Sequence, residues 1–220
     1  MRTVIAGGHG KIALRLERLL TSRGDTVVGL IRNPAQADDL RALGAEPVVL
    51  DLESATVDEV AGVLRGADAA VFAAGAGAGS GTERKQTVDH AAAVLLADAA
   101  ERAGVRRFLV ISSMGANAQA EGSDPVFTAY LRAKGAADDA IRARTGLDWT
   151  IVRPGALTDA DPTDRIALSA TSTGRGSVPR EDVATTLVAL LDEPGTAGLT
   201  LELISGGTAV REAVGAVARG

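Results

Sequence analysis

The chain has 220 residues, 46% hydrophobic and 23% charged, which suits one folded domain with its own core and excludes a disordered chain. Cysteine is absent, so disulfides, thiolate metal sites, iron–sulfur clusters and cysteine nucleophiles are all excluded. With 28 acidic against 23 basic residues, a net charge of −5 and 2% aromatics, neither a phosphate-neutralising surface nor a base-stacking platform for nucleic acid is expected.

The first strand, Thr3-Val4-Ile5-Ala6, runs into glycines at Gly7, before a signal-peptide apolar stretch has room to build. The stripe Ile12, Leu16, Leu19 and Leu20 predicts a helix from Lys11 to Arg23, with Gly24 in the place of a C-terminal cap. Thr26 to Ile31 is the second strand. A helix opened by Pro34 runs through Leu43, and Gly44 closes it. Pro47 to Leu50, Ala69 to Phe72, Arg107 to Ile111 and Trp149 to Val152 read as further strands. Helices are predicted at Val57 to Leu64, Arg84 to Ala103, and Val126 to Arg144 after Pro125. The last third adds a strand at Ile166 to Ser172, a helix from Arg180 to Leu191, a strand at Leu199 to Ile204 and a helix at Val210 to Ala218.

Strands alternating with longer helices imply an α/β fold, a Rossmann-type doubly wound parallel sheet with right-handed crossovers. Near-continuous apolar strands fit burial on both faces. No linker divides the chain, so a single domain spanning 1–220 is expected, the part from about 154 contributing to a substrate pocket. Ser112 to Pro125, rich in small residues, reads as an active-site loop. The longest uncharged run, Ala69 to Thr82, is fourteen residues and too weakly apolar to span a bilayer. The expectation is a cytoplasmic protein with neither membrane nor nucleic acid as partner, either a monomer or a homodimer.

The turn after the first strand reads Gly7-Gly8-His9-Gly10-Lys11-Ile12-Ala13. Gly7 permits a sharp turn, Gly10 lets backbone amides approach a pyrophosphate, and Ala13 lets the helix pack close to the sheet. The pyrophosphate then meets the positive end of the helix dipole. His9 contributes a backbone amide, and Ile12 belongs to the same turn. The alternative is an ordinary tight strand-to-helix turn, but its place at the first junction of a repeating α/β pattern favours dinucleotide binding. A P-loop is excluded by spacing.

After the second strand stand Arg32-Asn33, where NAD-preferring sites carry a carboxylate for the ribose. A guanidinium there suits a 2′-phosphate, with Lys11 as a second positive charge, so NADP is favoured over NAD; otherwise Arg32 projects into water. Asp51, with Leu52, either borders the adenine or caps the following helix.

Together with Ala73-Ala74-Gly75, Val88-Asp89, Ile111-Ser112-Ser113, Tyr130-Leu131-Arg132-Ala133-Lys134, Arg153-Pro154-Gly155 and Pro179-Arg180-Glu181-Asp182-Val183-Ala184, these residues resemble an atypical short-chain dehydrogenase/reductase. The resemblance covers essentially the whole chain and is strongest to the NAD(P)H-binding subgroup of NmrA-like proteins, biliverdin and flavin reductases and epimerase/dehydratases. It implies that Ala73-Ala74-Gly75 lies against the adenosine ribose, that Ser112-Ser113 ends the strand beneath the nicotinamide, and that the segment from Pro154 covers the nicotinamide and shapes the pocket.

Tyr130 and Lys134 stand four apart on one helical face, in a chain with a single tyrosine and three lysines. A phenol has a pKa near 10. A neighbouring ammonium favours the phenolate, and the same lysine can hold the nicotinamide ribose. Tyr130 would then pass a proton to the substrate oxygen as hydride moves; the bland alternative is a packing residue with its hydroxyl at the rim. The polarising hydroxyl of fully catalytic relatives falls at Met114 or Ser113. Their active-site asparagine is replaced by Asp89, either a proton-relay member or a structural carboxylate.

Asp159, Asp161 and Asp164 lack the glycine and terminal glutamate of a calcium loop, and His9 and His90 have no cysteine to join, so no metal is expected. The leading expectation is an NADP(H)-dependent oxidoreductase, or an epimerase using transient hydride transfer, acting on a small carbonyl or hydroxyl compound. The alternatives are an NADP-binding redox sensor without turnover and, last for want of aromatics, a flavin or biliverdin-type reductase. The substrate pocket is expected from Met114 to Phe127 and Ala156 to Ser172.

Overall fold

The computed structural model describes residues 1–77 and 79–220. Its centre is a sheet of nine strands in the order β11-β8-β10-β6-β5-β4-β1-β2-β3. Seven of them are parallel: β1 (Arg2–Ala6), β2 (Thr26–Ile31), β3 (Glu46–Val49), β4 (Ala69–Phe72), β5 (Arg107–Ile111), β6 (Asp148–Pro154) and β10 (Leu199–Ser205). β8 (Arg165–Ser169) joins β10 antiparallel, and β11 (Thr208–Ala209) joins β8. A separate parallel pair is made by β7 (Ala156–Thr158) and β9 (Ser177–Pro179).

Along β1 alternate side chains serve opposite layers, Ile5 on one face and Val4 and Ala6 on the other. The Ile5 layer is covered by α1 (Lys11–Ser22), α2 (Ala37–Ala42), α7 (Arg180–Leu191) and α8 (Val210–Val217). The opposite layer is covered by α3 (Val57–Leu64), α5 (Ala92–Ala103) and α6 (Pro125–Arg142). This is the doubly wound arrangement expected from strand–helix alternation. Local chemistry sets the helix ends. Thr56 and Glu59 form a reciprocal capping box on α3, Asp124 caps α6 ahead of Pro125, and Gly104 takes the left-handed conformation that ends α5.

The structure corrects some boundaries. The segment opened by Pro34 begins as a 3-10 turn, Pro34–Gln36, before α2. The single helix expected from Arg84 to Ala103 is instead α4 (Thr82–Arg84), a π-helical segment Lys85–Ala91 and α5. The strand expected to Ser172 ends at Ser169, where Ser169 and Thr171 make a local turn. No described helix is long and apolar enough to cross a membrane.

Glu17 on α1 is fully buried, and neither carboxylate oxygen has a hydrogen-bond partner. Its Oε1 lies where Cβ atoms on Gly8 and Gly29 would fall, 2.9 and 2.6 Å away, so the carboxyl rests on bare backbone of the glycine turn and β2. Burial pushes its pKa from 4.5 up to about 8. The folded chain therefore holds a proton that the unfolded chain releases above pH 4.5, and stability falls as pH rises from 4.5 towards 8. Glu17→Gln should raise stability at pH 8 by about 1–3 kcal/mol, roughly 2–10 °C in Tm. At pH 4 it should change little, and thermal unfolding across that range checks both arms.

Candidate functional site

Strand order reverses between β1 and β4, and the loops leaving their C-terminal ends part to form a crevice, the usual ligand position in an open α/β sheet. Gly7 has φ +80°, and a Cβ on it would stand 2.6 Å from Ala74 Cα. Only glycine lets the β1 turn lie against the β4 loop there. Gly10 closes the turn by donating its N–H to Gly7 O at 2.8 Å. No side chain caps α1, so the first-turn N–H groups of Lys11, Ile12 and Ala13 lack intrahelical partners. A bare backbone cradle ending on an uncapped helix fits a dinucleotide pyrophosphate.

The crevice continues in two directions, joined at Gly10, Ala73, Ala74 and Gly75. One arm, about 340 Å³, runs over β2 and β3 between Gly7, His9, Arg32, Asn33, Asp51 and Leu52. Asn33 accepts from Ala35 N at 3.0 Å, and Asp51 accepts from Glu53 N at 3.0 Å. His9 Nε2 meets Asp39 Oδ2 at 2.7 Å. Arg32 is exposed, and its guanidinium pairs with Glu53 at 3.1 Å, while Arg84 pairs with the same oxygen at 2.7 Å. Thr87 Oγ1 donates to the other oxygen at 2.6 Å. The Arg84 hydrogen bond, then that of Thr87, holds the Glu53 carboxyl below the usual range. Glu53 and Arg84 escaped the sequence reading because partners 31 positions apart leave no local pattern.

The other arm is a cleft of about 820 Å³ whose walls include Lys11, Ile12, Asp89, Ser112, Tyr130 and Lys134. Tyr130 is half-buried, stacked on Phe127 with ring centroids 6.0 Å apart. Lys134 is buried and committed inward. Its Nζ donates to Ile111 O at 3.0 Å and to Ala74 O at 3.5 Å, and lies 3.3 Å from Asp89 Oδ1. Asp89, fully buried, also accepts from Ala76 N at 3.3 Å, so it ties Lys134 to the β4 loop. The cation against Tyr130 is Lys85, its ammonium 5.4 Å from the ring centroid. Sequence reasoning passed over Lys85, although it stands four residues before Asp89 on the same helical stretch.

Ser112 lines the cleft but gives its hydroxyl to Asp138 at 2.9 Å. Asp138 also accepts from Arg153 Nε at 2.9 Å and Nη2 at 2.7 Å. Burial pushes the Asp138 carboxyl up, and Arg153 pulls it back. Ser113 donates to Met114 O at 3.2 Å, and neither it nor Pro154 lines either arm. Of the segments expected to form the pocket, Asp124, Val126, Phe127 and Leu157 reach the cleft. Lys11 is held by Asp159 at 2.8 Å, and the described residues hold no group of three or more acidic or histidine side chains placed for a metal.

Residues 7–194 match the profile of a family described as NAD(P)H-binding. The chain belongs to this family. The uncharacterized sugar epimerase YhfK of Bacillus subtilis is 34% identical over 97% of this chain and 99% of its own. A solved structure from Bacillus halodurans, provisionally named an NAD-dependent epimerase/dehydratase, superposes with a TM-score of 0.90 at 33% identity, covering 98% and 99% of the two chains. The oxidoreductase ylbE of Lactococcus lactis gives a TM-score of 0.87 at 27% identity over 100% and 98%. The atypical short-chain dehydrogenase/reductase resemblance is thereby borne out, and the family is one of NAD(P)-dependent oxidoreductase- and epimerase-type proteins.

Lys134→Met would take the ammonium away from the fully buried Asp89 carboxylate and leave Ala76 N–H as its hydrogen-bond donor. It should cost about 3–5 kcal/mol of stability. Adding Asp89→Asn should return most of that loss, as read by urea denaturation of the two single variants and the double variant.

Proposed function

We propose that this chain is an NADP(H)-dependent oxidoreductase or hydride-transfer epimerase acting on a small carbonyl or hydroxyl compound. The observation that carries this reading is the continuity of the glycine-lined crevice with a cleft that holds Tyr130 above the Lys134–Asp89 pair. When bound, the nicotinamide cofactor supplies or accepts a hydride. Gly7, Gly10 and the first-turn amides of Lys11 and Ile12 are the candidate pyrophosphate cradle. Asp51 and Leu52 border the adenine, and Ala73, Ala74 and Gly75 form the wall shared by both arms. Arg32 and Arg84 supply two guanidiniums to a single carboxylate, a net positive charge that favours a ribose 2′-phosphate over a hydroxyl.

In the cleft, Tyr130 is the proton donor or acceptor at the substrate oxygen. Lys134 and Asp89 fix the floor by binding the ends of β4 and β5, and they neutralise each other there. Ser112, engaged by Asp138, is a positioning group. Phe127 restricts water at the tyrosine ring. The stacked Phe127–Tyr130 pair also favours a second reading, a planar flavin- or bilin-like acceptor, since two of the chain's five aromatic residues stand at the mouth of the cleft.

Titration calorimetry should show NADPH binding more tightly than NADH. Arg32→Ala should weaken NADPH by about tenfold and leave NADH nearly unchanged. Glu53→Gln should widen the preference for NADPH, and equal affinities in the wild type would refute the NADP assignment. In a screen of aldehydes, ketones and quinones, Tyr130→Phe should lower NADPH oxidation by roughly 10²–10⁴-fold without altering NADPH affinity. Tight binding with no turnover of any compound would favour the redox-sensor alternative.

A further inference from the structure

The chain contains twenty arginines and three lysines, and all three lysines, Lys11, Lys85 and Lys134, line the same cleft. Two have carboxylate partners. Lys134 faces Asp89 at 3.3 Å, and Lys11 shares Asp159 with Arg180, at 2.8 and 2.9 Å. The remaining carboxylate of the cleft, Asp124, is occupied as the cap of α6, accepting from the N–H groups of Val126 and Phe127 at 2.9 and 3.0 Å.

Lys85 differs. It projects from the π-helical segment, is 7% exposed, and donates to Gly77 O at 2.9 Å. Its other neighbour is the face of Tyr130, and no carboxylate among the described residues lies within ion-pair distance. A carbonyl and a ring face only partly replace the hydration of an ammonium, so a buried lysine of this kind gains from an incoming anion. An ammonium is also a compact charge with rotatable donors, which suits a tight corner better than a planar guanidinium. Across the mouth the wall changes character: Val126, Phe127 and Leu157 remain 45%, 54% and 38% exposed. The cleft thus pairs an apolar, partly aromatic rim with one buried cation that lacks a counter-charge.

We propose that Lys85 is a substrate-binding residue that takes an anionic oxygen group, a carboxylate in the simplest case, of an amphipathic substrate. The apolar body of that substrate lies along Phe127, Val126 and Leu157. The proposal rests on the reading of this cleft as the substrate site, and it assigns the charge class of the substrate.

The test uses a matched pair of fluorescent probes, anilinonaphthalene sulfonate and its uncharged counterpart N-phenylnaphthylamine. Both are titrated into the full-length protein with and without saturating NADP⁺. The wild type should prefer the sulfonate. Lys85→Met should weaken the sulfonate by about tenfold, leave the uncharged probe unchanged and leave NADP⁺ affinity unchanged by calorimetry. Lys85→Arg keeps the charge on a bulkier, planar head and should retain only part of the preference, and thermal unfolding of both variants controls for folding. With NADPH, Lys85→Met should raise KM for para-carboxybenzaldehyde while sparing para-nitrobenzaldehyde. The proposal is overturned by an equal loss for both probes, by no preference in the wild type, or by a fall in NADP⁺ affinity, which would give Lys85 to the cofactor. Because the probe titrations are also run without nucleotide, a failure of the cofactor reading would show as absent NADP⁺ binding and leave the Lys85 result intact.

Discussion

Clearance between two loops governs the architecture of the site. Parallel neighbours β1 and β4 both end at the same edge of the sheet, and their connections leave in opposite directions to helices on opposite faces. The two loops meet at Gly7 and Ala74, where a single Cβ would collide with main chain. Because Gly7 has none, the turn folds down tightly enough for α1 to start over the crevice with its amides uncapped. The next glycine repeats the device on the other side. Gly8 donates to Leu30 O at 2.9 Å and packs beside Gly29 with the Glu17 carboxyl against both. Small residues here exchange side-chain packing for main-chain approach, and the uncompensated Glu17 carboxyl is part of that exchange.

Much of this was legible because burial on both faces writes strands as uninterrupted apolar runs. Ala69–Phe72 and Arg107–Ile111 fall at the positions read from the sequence, as do the helices Val57–Leu64 and Arg180–Leu191, whose starts carry a threonine cap and a proline. The short strands β7, β9 and β11 escaped notice since two or three residues cannot display a period. The π-helical segment was equally invisible: a shift from one carbonyl to the next changes backbone hydrogen bonding without marking composition. The same division runs through the site. The glycine turn and the Tyr130–Lys134 spacing are local patterns. Arg84, Glu53 and Lys85 are charged residues that read as solvated surface until tertiary folding brings their partners to them.

Helix α6 organises the cleft vertically. Tyr130, Lys134 and Asp138 recur every four residues and therefore share one face, which passes from the mouth to the interior. Tyr130 is half-buried, Lys134 is 4% exposed and Asp138 is completely enclosed. Tyr130 stacks on Phe127 of the same helix, and the two buried levels engage different parts of the sheet: the ends of β4 and β5 through Lys134, then Ser112 and Arg153 through Asp138. The tyrosine is thus mounted on a helix whose inward charges are tied to the strand ends, and its position relative to the glycine crevice is set by those ties.

That mounting also explains why the loop after β5 is held in place. Gly135 lets the main chain at Asn117 and Ala118 lie directly on α6, where any Cβ would overlap it. Asn117 N then donates to Leu131 O at 3.1 Å, and Arg132 Nε reaches Ala120 O at 2.7 Å. The loop and the tyrosine helix are therefore tied to each other through main chain. A substrate that displaced this loop would have to break main-chain contacts on α6 itself, whereas Val126, Phe127 and Leu157 line the cleft with exposed apolar surface. A molecule entering past those residues would cross exposed apolar surface before reaching the buried ammonium of Lys85. That order suits a ligand led by its charged end and held by its apolar body.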